Sequence, residues 1–418
     1  MSTQAHDRLA INGGAKVRTT PWPARFLFTA EEKAAVDALF DKSIASGGVF
    51  AYNGEEEEAY CREFAELMGG GYADAVNSGT TAIYVALRAL GIEPFTEVIT
   101  PPVTDMGGAM PVPLIGCIPV PADCAPNSYN MGPEQIEAAI TERTSAIIVA
   151  HIAGLPADMD PIMEIAKAKG IPVVEDCAQS HLGKYKGRYL GTIGDIGAFS
   201  TMSGKHHATG GQGGVVFTKR EDLYWKARQA SDRGKAFGVT GAHGNVTCSL
   251  NLNLNDLSAV IGRVQLKKLP GIVEGCQRVA QAVDERCRQL KAVRTIMPLD
   301  GCDGAFWFFV FQLDIDKVSV DVETFVRAVQ AEGLPFSGHY TEPFTDHDWY
   351  KNRSVFGSSG YPWTAPEYKG DPDAQYPLPN FEHVDKTFMH VKVHEHCGEQ
   401  EAEDIFQALR KVEAAYMK

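Results

Sequence analysis

Residues 171–214 read IPVVEDCAQSHLGKYKGRYLGTIGDIGAFSTMSGKHHATGGQGG, and this stretch decides the fold. Ile171-Pro-Val-Val is a short apolar run that reads as a buried strand, and it ends in an acid pair, Glu175-Asp176. A second run, Ile196–Ser200, ends in a hydroxyl. A third, Gly214–Thr218, follows a glycine-rich turn, and Lys205 lies in that turn between Gly204 and His206. Apolar strands with polar groups at their carboxyl ends suit an open α/β sheet, where ligands bind at the strand ends.

The polar side chains make a chemical set. A carboxylate such as Asp176 can keep a pyridine nitrogen protonated. A lysine such as Lys205 can form an imine with an aldehyde, and as a free amine it can move a proton. Ser200 can add a hydroxyl to a phosphate site. These are the parts that a pyridoxal 5'-phosphate (PLP) site needs. Taken singly, each has an ordinary role: a strand-end acid capping a turn, a solvated turn lysine, a strand-end serine. The phosphate reading extends upstream to VNSGTTAIYVAL at residues 76–87. There Ser78, Thr80 and Thr81 open a predicted helix, where free N–H groups and the dipole attract anions. Plain helix capping is the alternative.

Outward from this stretch, strands and helices alternate. Apolar runs at 97–100, 116–120 and 145–150 read as strands, with helices near 132–140 and 160–169. Such alternation implies a mostly parallel sheet covered on both faces. Thr29-Ala-Glu-Glu32 is a capping box that starts a helix running to about Phe40. Gly54 precedes another helix, Glu55 to Met68, whose acidic first turn suits an amino terminus. Asn255 to Leu269 reads as a helix ended by Pro270, and a separate amphipathic helix spans about 273–293. A stretch at 306–313, a helix at 322–331, a loop-rich region from Ser337 to Pro379 and a helix at about 401–416 follow. The expected class is therefore α/β with a smaller α+β carboxy-terminal domain. Residues 1–270, including an amino-terminal arm, form the large domain and 271–418 the small one.

Composition narrows the function. A net charge of −14 argues against binding a nucleic-acid backbone. No apolar run approaches the roughly 20 residues needed to span a bilayer. The opening MSTQAHDRLAINGG lacks the apolar centre of a signal peptide. The nine cysteines contain no CxxC pair and suit a reducing cytoplasm. His394-Glu-His-Cys397 is rich in metal-binding types, but adjacent side chains rarely converge on one ion, and no metal is expected.

Several blocks resemble the DegT/DnrJ/EryC1/StrS family of PLP-dependent sugar aminotransferases, which have the fold-type I architecture. They are LAINGG (9–14), VNSGTTAIYVAL (76–87), HIAGLPADMD (151–160), VVEDCAQSHLGKYKGRYLGTIGDIGAFS (173–200) and NLNLNDLSAVIGRVQLKKL (251–269), in the family's order. The resemblance implies roles. Lys205 matches the Schiff-base lysine and Asp176 the pyridinium partner. Gln179 matches the residue beside the cofactor's phenolic oxygen, and Thr80, Thr81 and Ser200 match phosphate ligands. Asn251 matches an asparagine that reaches the phosphate of a second subunit, so a homodimer with a shared active site is implied. His339 and Tyr340 fall where members place substrate-binding residues.

Three departures stand out. Asp105, in TPPVTDM, occupies a position where the family usually has an aromatic that stacks on the cofactor. An acid cannot stack, so another side chain covers the ring or Asp105 serves the substrate. Asn253 replaces a family arginine, removing a fixed cation. HHATGGQGG resembles the family's ketosugar dehydratases, in which histidine replaces the lysine. Counted back from Gly213-Gly214, the catalytic slot falls on His206; counted forward from Ser200, it falls on Lys205. We place Lys205 in the slot, because a strand fixes register more firmly than a glycine turn. The expected activity is amino transfer from glutamate or glutamine to a keto-sugar or keto-cyclitol, with pyridoxamine 5'-phosphate as the intermediate cofactor form. The alternative is a dehydratase using His206 as base.

Overall fold

The computed structural model describes residues 8–418; the first seven, part of the opening MSTQAHDRLAINGG, lie outside the described residues. Seven strands make the central sheet: β1 (Tyr72–Val76), β2 (Glu97–Thr100), β3 (Ile118–Pro121), β4 (Thr144–Ala150), β5 (Val173–Asp176), β6 (Ile196–Ser200) and β7 (Gly214–Thr218). They lie in the order β1-β7-β6-β5-β4-β2-β3. Strands β2 to β6 pair in parallel, and β7 alone runs against its neighbours β6 and β1.

The apolar runs are continuous because both faces are covered. In β4, Ile147 and Val149 enter one core with Val173, Phe199 and Phe217. Ala146 and Ile148 enter the other with Val174, Ala198 and Val216. The period of two thus sends alternate residues to opposite faces. Helices α1 (Ala30–Ser46), α2 (Glu55–Leu67), α3 (Gly79–Leu90), α4 (Pro133–Ala139), α5 (Met159–Lys169) and α6 (Glu221–Ser231) accompany this sheet.

Helix α7 corrects the expectation at Pro270. It runs unbroken from Asp256 to Cys287 with Pro270 inside it. Leu266, Leu269 and Val273 pack in the core of the first sheet. Cys276, Val279, Ala280 and Val283 pack in the core of a second one. That burial on either side outweighs the lost hydrogen bond and the ring clash of an interior proline, together about 3 kcal/mol. The second sheet is antiparallel, in the order β8-β9-β11-β10, from β8 (Val293–Thr295), β9 (Phe309–Leu313), β10 (Phe336–Ser337) and β11 (Phe388–Val391). Helices α8 (Val322–Ala331), α9 (Pro379–Thr387) and α10 (Glu399–Tyr416) lie in this part of the chain.

The amino-terminal segment is tied to the second sheet. Leu9 is fully buried in its core. Arg18 Nη1 donates to Glu401 at 3.0 Å and to Asp404 at 2.7 Å. From there the segment returns toward the turn between β6 and β7, where Arg25 meets Lys205 and His206. No helix among the described residues is long and apolar enough to cross a membrane.

Candidate active site

Strands β5 and β6 end side by side, with Asp176 in register with Ala198. Opposite, β6 and β7 pair Ser200 with Gly214. The carboxyl ends of these strands and the amino terminus of α3 enclose a cavity of about 200 Å³. Asp176, Gln179, Ser200, Lys205, Thr80 and Asp105 all line it. The close approach of α3 and β6 demands glycine. A Cβ on Gly79 would meet the Cβ of Ser200 at 2.6 Å.

Asp176 is buried, and its Oδ1 accepts from the Ala178 N–H at 3.0 Å. Burial holds its carboxyl above the usual range, against the pull of that N–H and of Lys205. A Cβ on Gly108 would lie 3.0 Å from its Oδ2, so glycine keeps that side of the carboxylate open. Lys205 is also buried. Burial lowers its amine to about 8, although Asp176 and Asp105 raise it. Its Nζ lies 4.0 Å from the centroid of the Trp307 ring.

At the start of α3 the Ser78 hydroxyl accepts from the Thr81 N–H at 3.1 Å. The Thr81 hydroxyl in turn accepts from the Ser78 N–H at 3.0 Å and donates to the Asn77 side chain at 2.9 Å. Thr81 is therefore occupied in the cap, and its side chain is not among those lining the cavity. Gly79 and Thr80 line the cavity, at a terminus whose first N–H groups have no intrahelical acceptor.

Gln179 bridges two parts of the chain. Its Oε1 accepts from the Ala153 N–H at 2.7 Å, and its Nε2 donates to the Tyr340 phenol at 2.6 Å. Asp105 is exposed at the cavity wall, and its carboxylate caps the Gly107 N–H at 3.0 Å. His206 lies elsewhere. Its ring is buried, its Nε2–H donates to the Ala305 carbonyl at 2.9 Å, and burial lowers it to about 3. His339 is exposed and paired with Asp385 at 2.9 Å, outside the cavity. Asn251 is exposed too, bridged through its backbone to Asp232. Of the residues singled out in sequence, the fold thus brings Asp176, Lys205, Ser200, Thr80, Gln179 and Asp105 together.

Sequence reasoning missed three side chains around this cavity. His151 lines it; its Nε2–H donates to Glu175 at 3.2 Å and its Nδ1 accepts from the Ala157 N–H at 3.1 Å. Glu175 also accepts N–H groups of Gly191, Ile193 and Gly194. Burial opposes its ionisation, but His151 and the backbone donors hold it below the usual range. His151, Glu175 and Cys177 stand at metal-ligand spacing, yet both His151 nitrogens and both Glu175 oxygens already have partners. The block HIAGLPADMD begins with His151 and could have flagged it. Trp307, inside an apolar stretch, and Arg25, far upstream, carried no such signal. In the His394–Cys397 run, His394 donates to the Pro23 carbonyl at 3.0 Å and Glu395 pairs with Arg25 at 3.2 Å.

The donor set fits PLP. There is an amine, an open buried carboxylate oxygen and a helix amino terminus with hydroxyls, all on one cavity. The family described as DegT/DnrJ/EryC1/StrS aminotransferase matches residues 30–410. The chain belongs to this family. As an aminotransferase of this family it is similar to the spore coat polysaccharide biosynthesis protein SpsC of Bacillus subtilis, 33% identical over 76% of this chain and 83% of that one. It is also similar to an L-glutamine:2-deoxy-scyllo-inosose aminotransferase of Streptoalloteichus tenebrarius, 28% identical over 97% of each chain. Among solved structures, an aminotransferase from Psychrobacter cryohalolentis superposes with a TM-score of 0.82 at 28% identity, covering 96% of this chain and all of that one. The fold-type I α/β architecture of this DegT/DnrJ/EryC1/StrS aminotransferase follows from that likeness.

Proposed function

We propose that this aminotransferase binds PLP and moves an amino group from glutamine or glutamate to a keto-cyclitol or keto-sugar. The observation that carries the reading is one cavity holding the Lys205 amine, the Asp176 carboxylate and the amino terminus of α3. The name of the Streptoalloteichus relative supports glutamine as donor and a keto-cyclitol as acceptor.

When bound, PLP supplies an electron sink for the donor's α-carbon. Asp176 would hold the ring nitrogen and its proton. The amino terminus of α3, with the Thr80 and Ser200 hydroxyls, would hold the phosphate. Gln179, fixed by Tyr340, orients the phenolic edge. Lys205 Nζ, close to half neutral near pH 8, would act as the base that takes the proton from the donor's α-carbon and, in the second half of the cycle, as the acid that delivers a proton to the acceptor carbon gaining the amino group. Asp105 accepts hydrogen bonds from acceptor hydroxyls, in place of an aromatic lid. Transamination is favoured over dehydration because His206 spends its ring on Ala305 rather than on the cavity.

We further propose a cytoplasmic homodimer that shares the site, and a domain division near Pro270. Asn251 is exposed, as its role toward a second copy requires, and its neighbour Leu250 is 59% exposed. Ile44 and Val49 are exposed as well, an apolar surface for a partner to cover.

Glutamine and glutamate added to PLP-loaded protein should convert it to the pyridoxamine 5'-phosphate form, followed by absorbance. A keto-cyclitol or a nucleotide-linked keto-sugar should then restore the PLP spectrum. Failure of both donors to convert the cofactor overturns the proposal.

A further inference from the structure

The turn that carries Lys205 is closed by its own bonds at its base, Thr201 N–H to the Gly213 carbonyl at 2.8 Å, Thr209 N–H to that of Thr201 at 3.1 Å and Ser203 N–H to that of Gly211 at 3.1 Å, but its tip is gripped from outside. Gly204, Lys205 and His206 present three successive carbonyls. Trp307 Nε1–H donates to the first at 3.1 Å. Arg25 Nη1–H donates to the second at 2.5 Å, and Arg25 Nη2–H to the third at 2.9 Å. The remaining edge of Arg25, its Nε–H, lies 3.2 Å from both oxygens of Glu395. The turn's own contribution at Lys205 is one bond, from its N–H to the Met202 carbonyl at 2.9 Å.

A guanidinium is planar, with five donors in a fixed fork. Two carbonyls at one edge and a carboxylate at another leave Arg25 little freedom. The three parts come from distant places: the amino-terminal segment, the turn between β6 and β7, and the chain just after β11. Gly210 and Gly211 leave the far side of the turn with open space, since a Cβ on Gly211 would meet nothing within 4 Å.

We propose that Arg25, seated on Glu395, is a positioning residue that holds the Lys205 turn so that the amine faces Asp176 across the cavity. The inference rests on Lys205 being the reactive lysine. Within the turn Arg25 touches only backbone carbonyls, so it acts through the placement of Lys205. It also pins the register: the carbonyls it grips belong to residues 205 and 206, which leaves the lysine side chain in the cavity and turns the His206 ring to Ala305. A displacement of about 1 Å at a reacting group costs on the order of a hundredfold in rate.

The test uses the full chain. In cofactor-free protein, acetic anhydride labelling across a pH series, read by mass spectrometry of the Lys205 peptide, should titrate near pH 8. Arg25→Met should move that midpoint up by about one unit, toward an ordinary lysine, as water reaches the loosened turn. In PLP-loaded enzyme kcat should fall by about a hundredfold with the donor KM within roughly threefold. Arg25→Lys, able to keep one carbonyl bond, should recover part of both. An unchanged midpoint with kcat within threefold of the parent overturns the proposal. Should Arg25→Met fail to fold, Glu395→Gln decides by the same two readouts, with shifts in the same direction required. If borohydride fixes the cofactor of the parent enzyme to another lysine, it is the reading of Lys205 that fails instead.

Discussion

The Lys205 ammonium lies against the Trp307 ring, 4.0 Å from its centroid, while the N–H of the same ring holds the Gly204 carbonyl. One indole therefore touches both the backbone of the turn and the amine at the end of the Lys205 side chain. A cation over an aromatic face favours the charged form, whereas burial favours the neutral one, and burial dominates in bringing the amine down to about 8. Near neutral pH the group is one small step from a free amine.

Lys205 and His206 make separable predictions. Lys205→Ala should abolish the half-reaction with glutamine or glutamate, measured as loss of the PLP spectrum. His206→Ala should retain at least about a tenth of it, since a ring bonded to Ala305 supports the turn without reaching the cavity. The opposite ranking, together with a deoxygenated product from a keto-sugar, would favour dehydration.

Asp176→Asn should lower turnover at least about a hundredfold, roughly 3 kcal/mol of transition-state stabilisation. An amide cannot hold the pyridine proton as a carboxylate does. Circular dichroism should be unchanged, because the Ala178 N–H can still be accepted by the amide oxygen. Activity within a few-fold of the parent would assign Asp176 a structural part only.

How far the amino-acid sequence reveals the site differs by residue. Asp176 and Ser200 end strands whose apolar runs are unmistakable, so their place at the sheet edge follows from period and polarity. Helix α7 escapes a local reading because Pro270 is a strong local signal, while the burial that overrides it comes from two separate cores. Thr81 is the right residue type at a helix start, but its hydroxyl donates to the Asn77 side chain within the cap and does not line the cavity. Arg25 and Trp307 are invisible to pattern and spacing, since they meet the turn only through contacts between parts of the chain far apart in sequence.

Sedimentation should give a homodimer. Asn251→Ala should weaken PLP binding about tenfold, the scale of one charge-assisted hydrogen bond of roughly 1.4 kcal/mol, and leave the dimer in place. A monomer with full activity contradicts both the assembly and the part given to Asn251.

Acid should destabilise the fold. His206 and His207 are buried and lowered by that burial to about 3, and His181 is lowered as well. Unfolded histidine titrates near 6.5. As pH falls below about 6.5 the unfolded chain takes up protons that the folded chain refuses, so stability drops until about pH 3. Each such histidine contributes about 1.4 kcal/mol per pH unit. Glu57, raised to about 7 by burial and Asp74, offsets part of this. Urea unfolding of the parent and of His207→Gln at pH 7, 6 and 5 isolates one histidine. Its removal should flatten the slope by that amount, and parallel curves would refute the assignment.

Helix α7 is 32 residues long and is shared by both cores. The two sheets are therefore mounted on a common shaft rather than joined by a tether, and neither can swing freely about the other at this junction. Its one soft point is Pro270, where the ladder lacks a rung. The same shaft runs against the seat of Arg25: a Cβ on Gly275 would meet the Cα of Glu395 at 2.8 Å, so the helix that packs under the first sheet also abuts the chain that holds Arg25.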